Sequence, residues 1–331
     1  MEATWKDRLR GLVSRNRPSY KPQLWEDLPL AVRRRLKLEL LQRGRADWLD
    51  TPRVVDLSRV GTDDGGPPSR MSLVLRDAIG RAMFLYGTYE ICSTRLIQAF
   101  LRPGMTFADV GANIGYYTVL AGRAVGESGT VYSFEPNAAL LPRLEENVRL
   151  NDLFGRVRIL PQAVTRKSGE IRFYRSTASD NSGLSSTLPG DCRSEQGEVV
   201  PCVSLDDFAA KLAVGRRIDL IKIDVEGAEL DVLEGGHETL ERPDAPAIVF
   251  ESMDVATVGA VLDPLGYSMR RIHYTLTSGL ELIEPGAPFH GIFDAYEPPN
   301  YFAAKDPALF GQIVERANAR HSAALRMLGR W

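Results

Sequence analysis

Two acids and a glycine turn carry the first chemistry that this sequence offers. In Asp109-Val-Gly111-Ala-Asn113-Ile-Gly115 an acid closes an apolar run, and small residues follow where the chain must turn tightly. Glycine tolerates positive φ and lets a ligand approach the backbone. A helix that starts just beyond turns its free N–H groups toward that ligand. Glu135 stands 24 positions after Gly111, at the tip of the next apolar run. A carboxylate there accepts from two ribose hydroxyls. The dinucleotide fingerprint is broken, because Asn113 takes the place of the central glycine of G-x-G-x-x-G and Tyr116-Tyr117-Thr118 removes the third. No G-x-x-x-x-G-K-[ST] run exists, which excludes a P-loop. Asp109 would repel a bare pyrophosphate, so the turn suits a ligand with a cationic centre and an amino-acid end.

A second constellation lies further along, in Lys222-Ile-Asp224-Val-Glu226 and at Glu251. Lys222 and Asp224 are two apart on a predicted strand and share a face. A lysine in an otherwise buried strand needs a partner or a function. The pair therefore reads either as an internal ion pair that shapes a pocket, or as Asp224 presented to the ligand or to an acceptor hydroxyl. Asp224 and Glu251 end neighbouring predicted strands, a placement that suits a divalent cation such as Mg through hard oxygen ligands. Of the four histidines, His237 falls toward the far end of the sheet and His321 on the C-terminal helix. His273 ends a late strand near the site edge, and His290 sits in a loop expected to cross it. Either suits a general base, since histidine titrates near neutral pH.

The elements that must position these groups alternate. Strands are predicted near 106–110, 130–134, 157–160, 219–223 and 246–251, with helices near 114–125, 137–151, 228–235 and 254–264. Such alternation implies an α/β fold with a mostly parallel, doubly wound sheet and helices on both faces. A helix is predicted over 91–100, and residues 73–84 fit strand or helix equally. Residues 176–198, rich in Ser, Gly, Asp and Thr, read as a mobile loop. Residues 275–299 read as a second insertion between two late strands. Upstream, Trp5, Leu9, Leu12 and Val13 mark one short helix, and Pro29 opens another that stops before Gly44. The domains expected are a helical extension over 1–70 that serves as lid, dimer arm or substrate cap, a ligand-binding domain over 71–310, and a C-terminal helix over 311–331.

Composition bounds the class. A net charge of −2 over 331 residues gives no global pull toward nucleic acid or a membrane surface, although residues 1–53 are locally basic. That basic stretch reads first as a solvated helix face. The three cysteines show no metal-binding spacing and fit free thiols in a reducing compartment. No apolar run approaches the ~20 residues of a membrane span. The start of the chain lacks a signal-peptide core, so the expected location is cytoplasmic.

The motifs together resemble the FkbM-type family of methyltransferases. The resemblance runs from about Tyr86 to Glu251. It includes Gly87-Thr-Tyr-Glu90, the glycine turn, Ser133-Phe-Glu-Pro-Asn137, Asn147-Val-Arg-Leu-Asn151 and Val203-Ser-Leu-Asp-Asp-Phe208. Its most specific mark is Lys222-Ile-Asp-Val-Glu-Gly-Ala-Glu229. The resemblance implies a class I, Rossmann-like fold with a seven-stranded sheet and S-adenosylmethionine as cofactor. It implies O-methylation of a hydroxyl on a small-molecule acceptor, whether sugar, natural product or lipid. Glu90, Asp109, Gly111, Asn113, Gly115, Tyr117 and Thr118 are then cofactor-binding candidates. So are Glu135, Pro136, Asn137 and Asp224, with Gln162 and Ala163 near the adenine. Asp224, Glu251, His273 and His290 are the catalytic candidates, with Asp224 and Glu251 also candidate metal ligands. Alternatives are an N-methyltransferase, a peptide or nucleic-acid methyltransferase, and a non-catalytic binder of the same cofactor. Amino-base methylation calls for Asn/Asp-Pro-Pro-aromatic after the fourth strand, where this chain has Asp224-Val-Glu-Gly, so no nucleic-acid partner is expected. A homodimer is expected from the N-terminal arm.

Overall fold

The computed structural model describes residues 37–39, 41, 46–57, 68–178, 181–275, 278–287 and 299–328. The chain divides into two compact units, Met1–Gly44 and Arg45–Trp331. Of the first, Lys37–Glu39 and Leu41 are helical. The helix expected over 5–13 and most of the one expected up to Gly44 lie outside the described residues.

The second unit opens with α1 (Ala46–Asp50), β1 (Arg53–Asp56), β2 (Arg70–Leu73), α2 (Ala78–Tyr86) and α3 (Ile91–Phe100). The βα alternation follows as β3 (Thr106–Val110), α4 (Tyr116–Ala124), β4 (Thr130–Phe134), α5 (Leu141–Leu150) and β5 (Val157–Leu160). Next come β6 (Ala163–Val164), β7 (Gly169–Phe173), β8 (Glu198–Val203) and α6 (Leu205–Ala209), a small lateral sheet and its helix. The main layer resumes with β9 (Leu220–Ile223), α7 (Glu229–Glu234), α8 (His237–Glu241), β10 (Ala247–Glu251) and α9 (Val255–Leu262). It ends with β11 (Ser268–Thr275), β12 (Gly279–Ile283), β13 (Asn300–Ala304) and α10 (Ala308–Leu328).

The main sheet has the order β12-β11-β13-β10-β9-β3-β4-β5. Strands β10, β9, β3, β4 and β5 run parallel, and β13 is antiparallel to both β10 and β11. The chain starts in the middle at β3 and winds outward first through β4 and β5, then through β9 and β10. The winding reverses between β3 and β9, and in such sheets the crevice beyond the strand ends at that point takes the ligand. All five residues of β3 and all four of β9 are buried, as strands covered on both faces must be.

The predicted strands of the parallel core fall within a residue of those observed, and other expectations change. Among the described residues the sheet has eight strands rather than seven, because Leu280-Glu-Leu282 alternates and Gly279–Ile283 folds back on β11 inside the stretch expected to be loop. The 1–70 extension is not wholly helical, since Arg53–Asp56 pairs antiparallel with Arg70–Leu73, and the contact boundary falls after Gly44. The ambiguous 73–84 stretch resolves into the end of β2 and helix α2, which Asp77 caps by accepting from the Ile79 and Gly80 N–H groups. Helix α5 starts at Leu141 rather than 137, because Asn137 Oδ1 accepts from Ala139 N and makes a turn there first. The C-terminal helix starts at Ala308, whose N–H donates to Asp306.

Candidate active site

The glycine turn joins β3 to α4 at the crevice. Gly111 has φ 86°, and a Cβ there would lie 1.9 Å from the Asp224 carbonyl oxygen, so only glycine lets the two loops meet. Gly111 and Ala112 donate to the Phe134 carbonyl at 3.0 and 2.9 Å. Asn113 is left-handed at φ 50°, and its Oδ1 accepts from Ile114 N at 2.7 Å. Gly115, at φ 86°, opens α4 against Leu144 of α5.

Glu135 braces this turn. Its Oε2 accepts from Asn113 N at 2.7 Å and its Oε1 from Asn137 N at 2.8 Å. The carboxylate therefore ties the β3 and β4 loops together, and each oxygen keeps a lone pair for a further donor. Burial lifts its pKa to about 7 against the pull of the two backbone donors. Pro136 beside it is half-buried. Asp109 is buried under α4, with Oδ2 accepting from Thr118 Oγ1 at 2.6 Å, and Thr118 Oγ1 also meets Ser133 Oγ at 2.7 Å. Burial raises Asp109 to about 6. Asp109 and Thr118 thus join strand to helix beneath the turn. Gln162 is half-buried after β5, and Ala163 begins β6 in the lateral sheet, paired with Cys202.

The second constellation forms a buried charge cluster. Lys222 is fully buried in β9, and its Nζ lies 3.2 Å from Asp224 Oδ2. Glu90 precedes α3 in a left-handed conformation, φ 39°, and accepts from the Tyr117 hydroxyl at 2.7 Å. The Lys222 ammonium lies 5.3 Å from the Tyr117 ring centroid. Glu90, Asp224 and Glu251 each offer an oxygen within 4.8 Å of the others'. Burial pulls the pKa of Lys222 down, but Asp224, Glu90 and Glu251 outweigh it and raise the ammonium's pKa. Glu251 is pushed up to about 9, first by burial and then by the charge of Asp224. Burial likewise raises Glu90.

The loop after β9 carries an acid that sequence reasoning left unassigned. Glu226 is left-handed at φ 54°, followed by Gly227 at φ 96°. Burial and Asp224 raise its carboxyl to about 7. The insertion expected to be a mobile loop is fastened to this turn. Ser186 Oγ donates to Val225 O at 3.1 Å, and Arg193 Nη2 donates to Glu226 O at 2.9 Å. Arg193 also donates to the Leu184 and Leu188 carbonyls at 2.8 and 2.9 Å. A lone arginine in a Ser/Gly-rich run was the available signal.

Of the histidines, His237 and His273 are described, and neither joins this cluster. His273 lies on β11, which β13 separates from β10, and its Nδ1 is 3.6 Å from Glu281 Oε2 on β12. His290 lies outside the described residues, as does the side chain of His321. His237 is exposed at the start of α8.

A doubly wound sheet with an antiparallel strand set between the last two parallel ones, and a glycine turn and acid at its switch point, defines a class I methyltransferase fold. Residues 109–271 match the methyltransferase FkbM domain. The chain is 27% identical over 165 residues to the 2-O-methyltransferase NoeI of Sinorhizobium fredii, covering 45% of this chain and 64% of that protein. It is 29% identical over 142 residues to Methyltransferase 1 of Beauveria bassiana, covering 38% and 56%. Against the hexuronic acid methyltransferase AglP of Haloferax volcanii the identity is 26% over 204 residues, covering 59% and 75%. The match therefore spans less than two thirds of the first two relatives' length. Among the described residues no helix is long and apolar enough to cross a membrane.

Proposed function

We propose that this protein is an S-adenosylmethionine-dependent methyltransferase that methylates a hydroxyl of a sugar or sugar-bearing small molecule. One observation carries the reading. The Gly111 turn, braced by Glu135, meets the Asp224 loop at the switch point, with the Glu90–Asp224–Glu251 carboxylates gathered on the same side. A donor with a sulfonium and an α-ammonium suits a crevice walled by carboxylates. The names of two relatives, a 2-O-methyltransferase and a hexuronic acid methyltransferase, support a sugar acceptor.

Methyl transfer is an in-line displacement. The acceptor oxygen attacks the methyl carbon, the carbon–sulfur bond breaks, and sulfur leaves with the bonding pair as a thioether. The acceptor's proton must go to a base. The protein's task is to align the oxygen at roughly 3 Å from the methyl carbon and to take that proton. Glu251 sits at the tip of β10 beside Asp224 and Glu90, and in its ionised form it serves as the proton acceptor. Asp224, held by Lys222, orients the acceptor hydroxyl or the donor's ammonium. Glu90 faces the same end. The second lone pairs of Glu135 take the ribose hydroxyls, and Asn113, Gly115, Pro136 and Asn137 line the ribose side. Gln162 and Ala163 lie toward the adenine. His273 is set aside as the base because two strand spacings separate it from Glu251.

Isothermal titration calorimetry with S-adenosylmethionine, S-adenosylhomocysteine and NAD tests the reading. Binding of the first two and not the third is expected. NAD binding, or no binding of S-adenosylhomocysteine, refutes it. Transfer of a labelled methyl group to a panel of glycosides then tests the acceptor class.

A further inference from the structure

We propose that Glu226 is the acceptor-recognition residue of this site, and that the acceptor it takes is a neutral, hydroxyl-rich sugar ring rather than an anionic one. The inference rests on the methyltransferase reading and deepens it by naming the acceptor's chemistry. Two segments build the recognition surface: the loop after β9, and the strap over residues 181–193 that is fastened to it.

The loop after β9 faces two ways. The Asp224 carbonyl abuts Gly111 of the glycine turn, where an added Cβ would lie 1.9 Å from it. Two residues on, the Glu226 carboxylate abuts the strap, since a Cβ added to Gly183 would lie 3.9 Å from Glu226 Oε1 and 3.3 Å from Ile79 Cδ1 of α2. Glu226 therefore stands on the strap side of the loop, at a gap bounded by the 182–184 turn and α2, and Gly183 keeps that gap open. The strap is seated on the loop at three points. Ser186 Oγ donates to Val225 O, Arg193 Nη2 donates to Glu226 O at 2.9 Å, and Leu188 Cδ1 lies 3.8 Å from where a Cβ of Gly227 would stand. Between two of those anchors, Thr187 Oγ1 is enclosed without a hydrogen-bond partner among the described residues. A buried hydroxyl left unpaired is costly, and a ligand hydroxyl at this gap supplies the missing partner. Glu226 adopts φ 54°, where glycine would sit without strain. Strain of this kind gathers at ligand sites, and here the residue that bears it is the one whose carboxylate reaches the gap. A carboxylate accepts from two neighbouring hydroxyls at once, one on each oxygen. The cations beside it are engaged, because Arg193 donates to the carbonyls of Leu184, Leu188 and Glu226, and Lys222 pairs with Asp224. A ring that carries its own carboxylate would set like charge against Glu226 and Asp224 with both of these cations already engaged.

The test uses the full-length protein and radiolabelled S-adenosylmethionine, with neutral methyl pyranosides and the matching methyl pyranosiduronates as acceptor probes. Wild type is expected to use the neutral rings with kcat/KM about ten-fold or more above that of their uronates. Glu226→Lys keeps a side chain at the same backbone angle and reverses its charge, and it is expected to invert that preference. Gly183→Ala adds bulk beside Glu226 Oε1 without charge, and it is expected to raise KM for both classes alike and leave their ratio unchanged. In both variants S-adenosylhomocysteine affinity is expected to stay at the wild-type value, with the loss falling on KM rather than kcat. A wild-type preference for uronates overturns the proposal, and this arm needs no variant to fold. A folded Glu226→Lys that keeps the wild-type preference overturns it equally. Transfer to none of the glycosides, with S-adenosylhomocysteine still bound, overturns it together with the sugar acceptor and leaves the cofactor reading standing. Failure of S-adenosylhomocysteine to bind sinks the methyltransferase reading itself and this proposal with it.

Discussion

Replacing Gly111 by alanine separates two physical effects at the contact on which the site depends. The first is conformational. Gly111 sits at φ 86°, and an L-residue held in a left-handed conformation costs about 1–2 kcal/mol. The second is steric. The new Cβ would lie 1.9 Å from the Asp224 carbonyl oxygen and 2.9 Å from its carbon, so the 224–227 loop must retreat by more than about 1 Å. Overpacking of this kind costs a further 1–3 kcal/mol or so. The sum of about 2–5 kcal/mol corresponds to a fall in Tm of roughly 5–15 °C for a unit of this size. Gly266→Ala is the matched control. Its φ is 84° and nothing lies within 4 Å of its added Cβ, so it carries the first effect without the second. Differential scanning calorimetry of both variants, with S-adenosylhomocysteine titrations, reads the difference. A displacement of about 1 Å at Asp224 is expected to slow transfer by about 100-fold. Equal Tm losses in the two variants, or wild-type turnover in Gly111→Ala, would refute the idea that the two loops position each other through this contact.

Four further outcomes follow from the same geometry. Glu135→Gln replaces a charge-assisted acceptor of two backbone N–H groups and should weaken S-adenosylhomocysteine binding by about 1.5–3 kcal/mol, roughly 10–150-fold in Kd by calorimetry. An unchanged Kd would remove Glu135 from the cofactor site. Glu251 is held at about 9 in the native state against an ordinary 4.5, so between those values the native state binds more protons than the unfolded chain. Its stabilising contribution is complete below 4.5 and is lost as pH rises through 9. Glu135 and Glu226, at about 7, act in the same direction. Urea unfolding should therefore show lower stability at pH 9 than at pH 6, with a shallower slope in Glu251→Gln, and stability that rises over this range would contradict the burial argument. Arg193→Ala leaves the carbonyls of Leu184, Leu188 and Glu226 without their donor and should hasten proteolysis within 174–194. Unaltered cleavage would mean that the insertion is held by other contacts. Glu226→Gln is expected to raise the acceptor KM with S-adenosylhomocysteine affinity kept, and the reverse pattern would place Glu226 on the cofactor side.

The sequence by itself determined the parallel core. Runs such as Leu220-Ile-Lys-Ile223 and Ala247-Ile-Val-Phe250 are apolar because both faces of a parallel strand are covered, and that demand is local enough to read within a few residues. It also marked Asp109, Gly111, Glu135, Asp224 and Glu251, because strand tips in an alternating βα pattern all face one edge. Three things were settled only by tertiary structure. Glu90 joined Asp224 and Glu251 from 134 residues upstream, through the placement of α3 beside the sheet, and no local signal encodes that distance. Lys222 proved to be wholly buried and paired with Asp224 at 3.2 Å, because β9 is covered on both faces and its side chain has no route to solvent. Glu135 and Asp109 proved to brace backbone and helix, since a buried carboxylate takes whatever donors the fold brings within reach, and those donors come from other segments. Residue type and periodicity fix what each strand tip can offer. Which tips meet depends on packing between segments far apart in the chain.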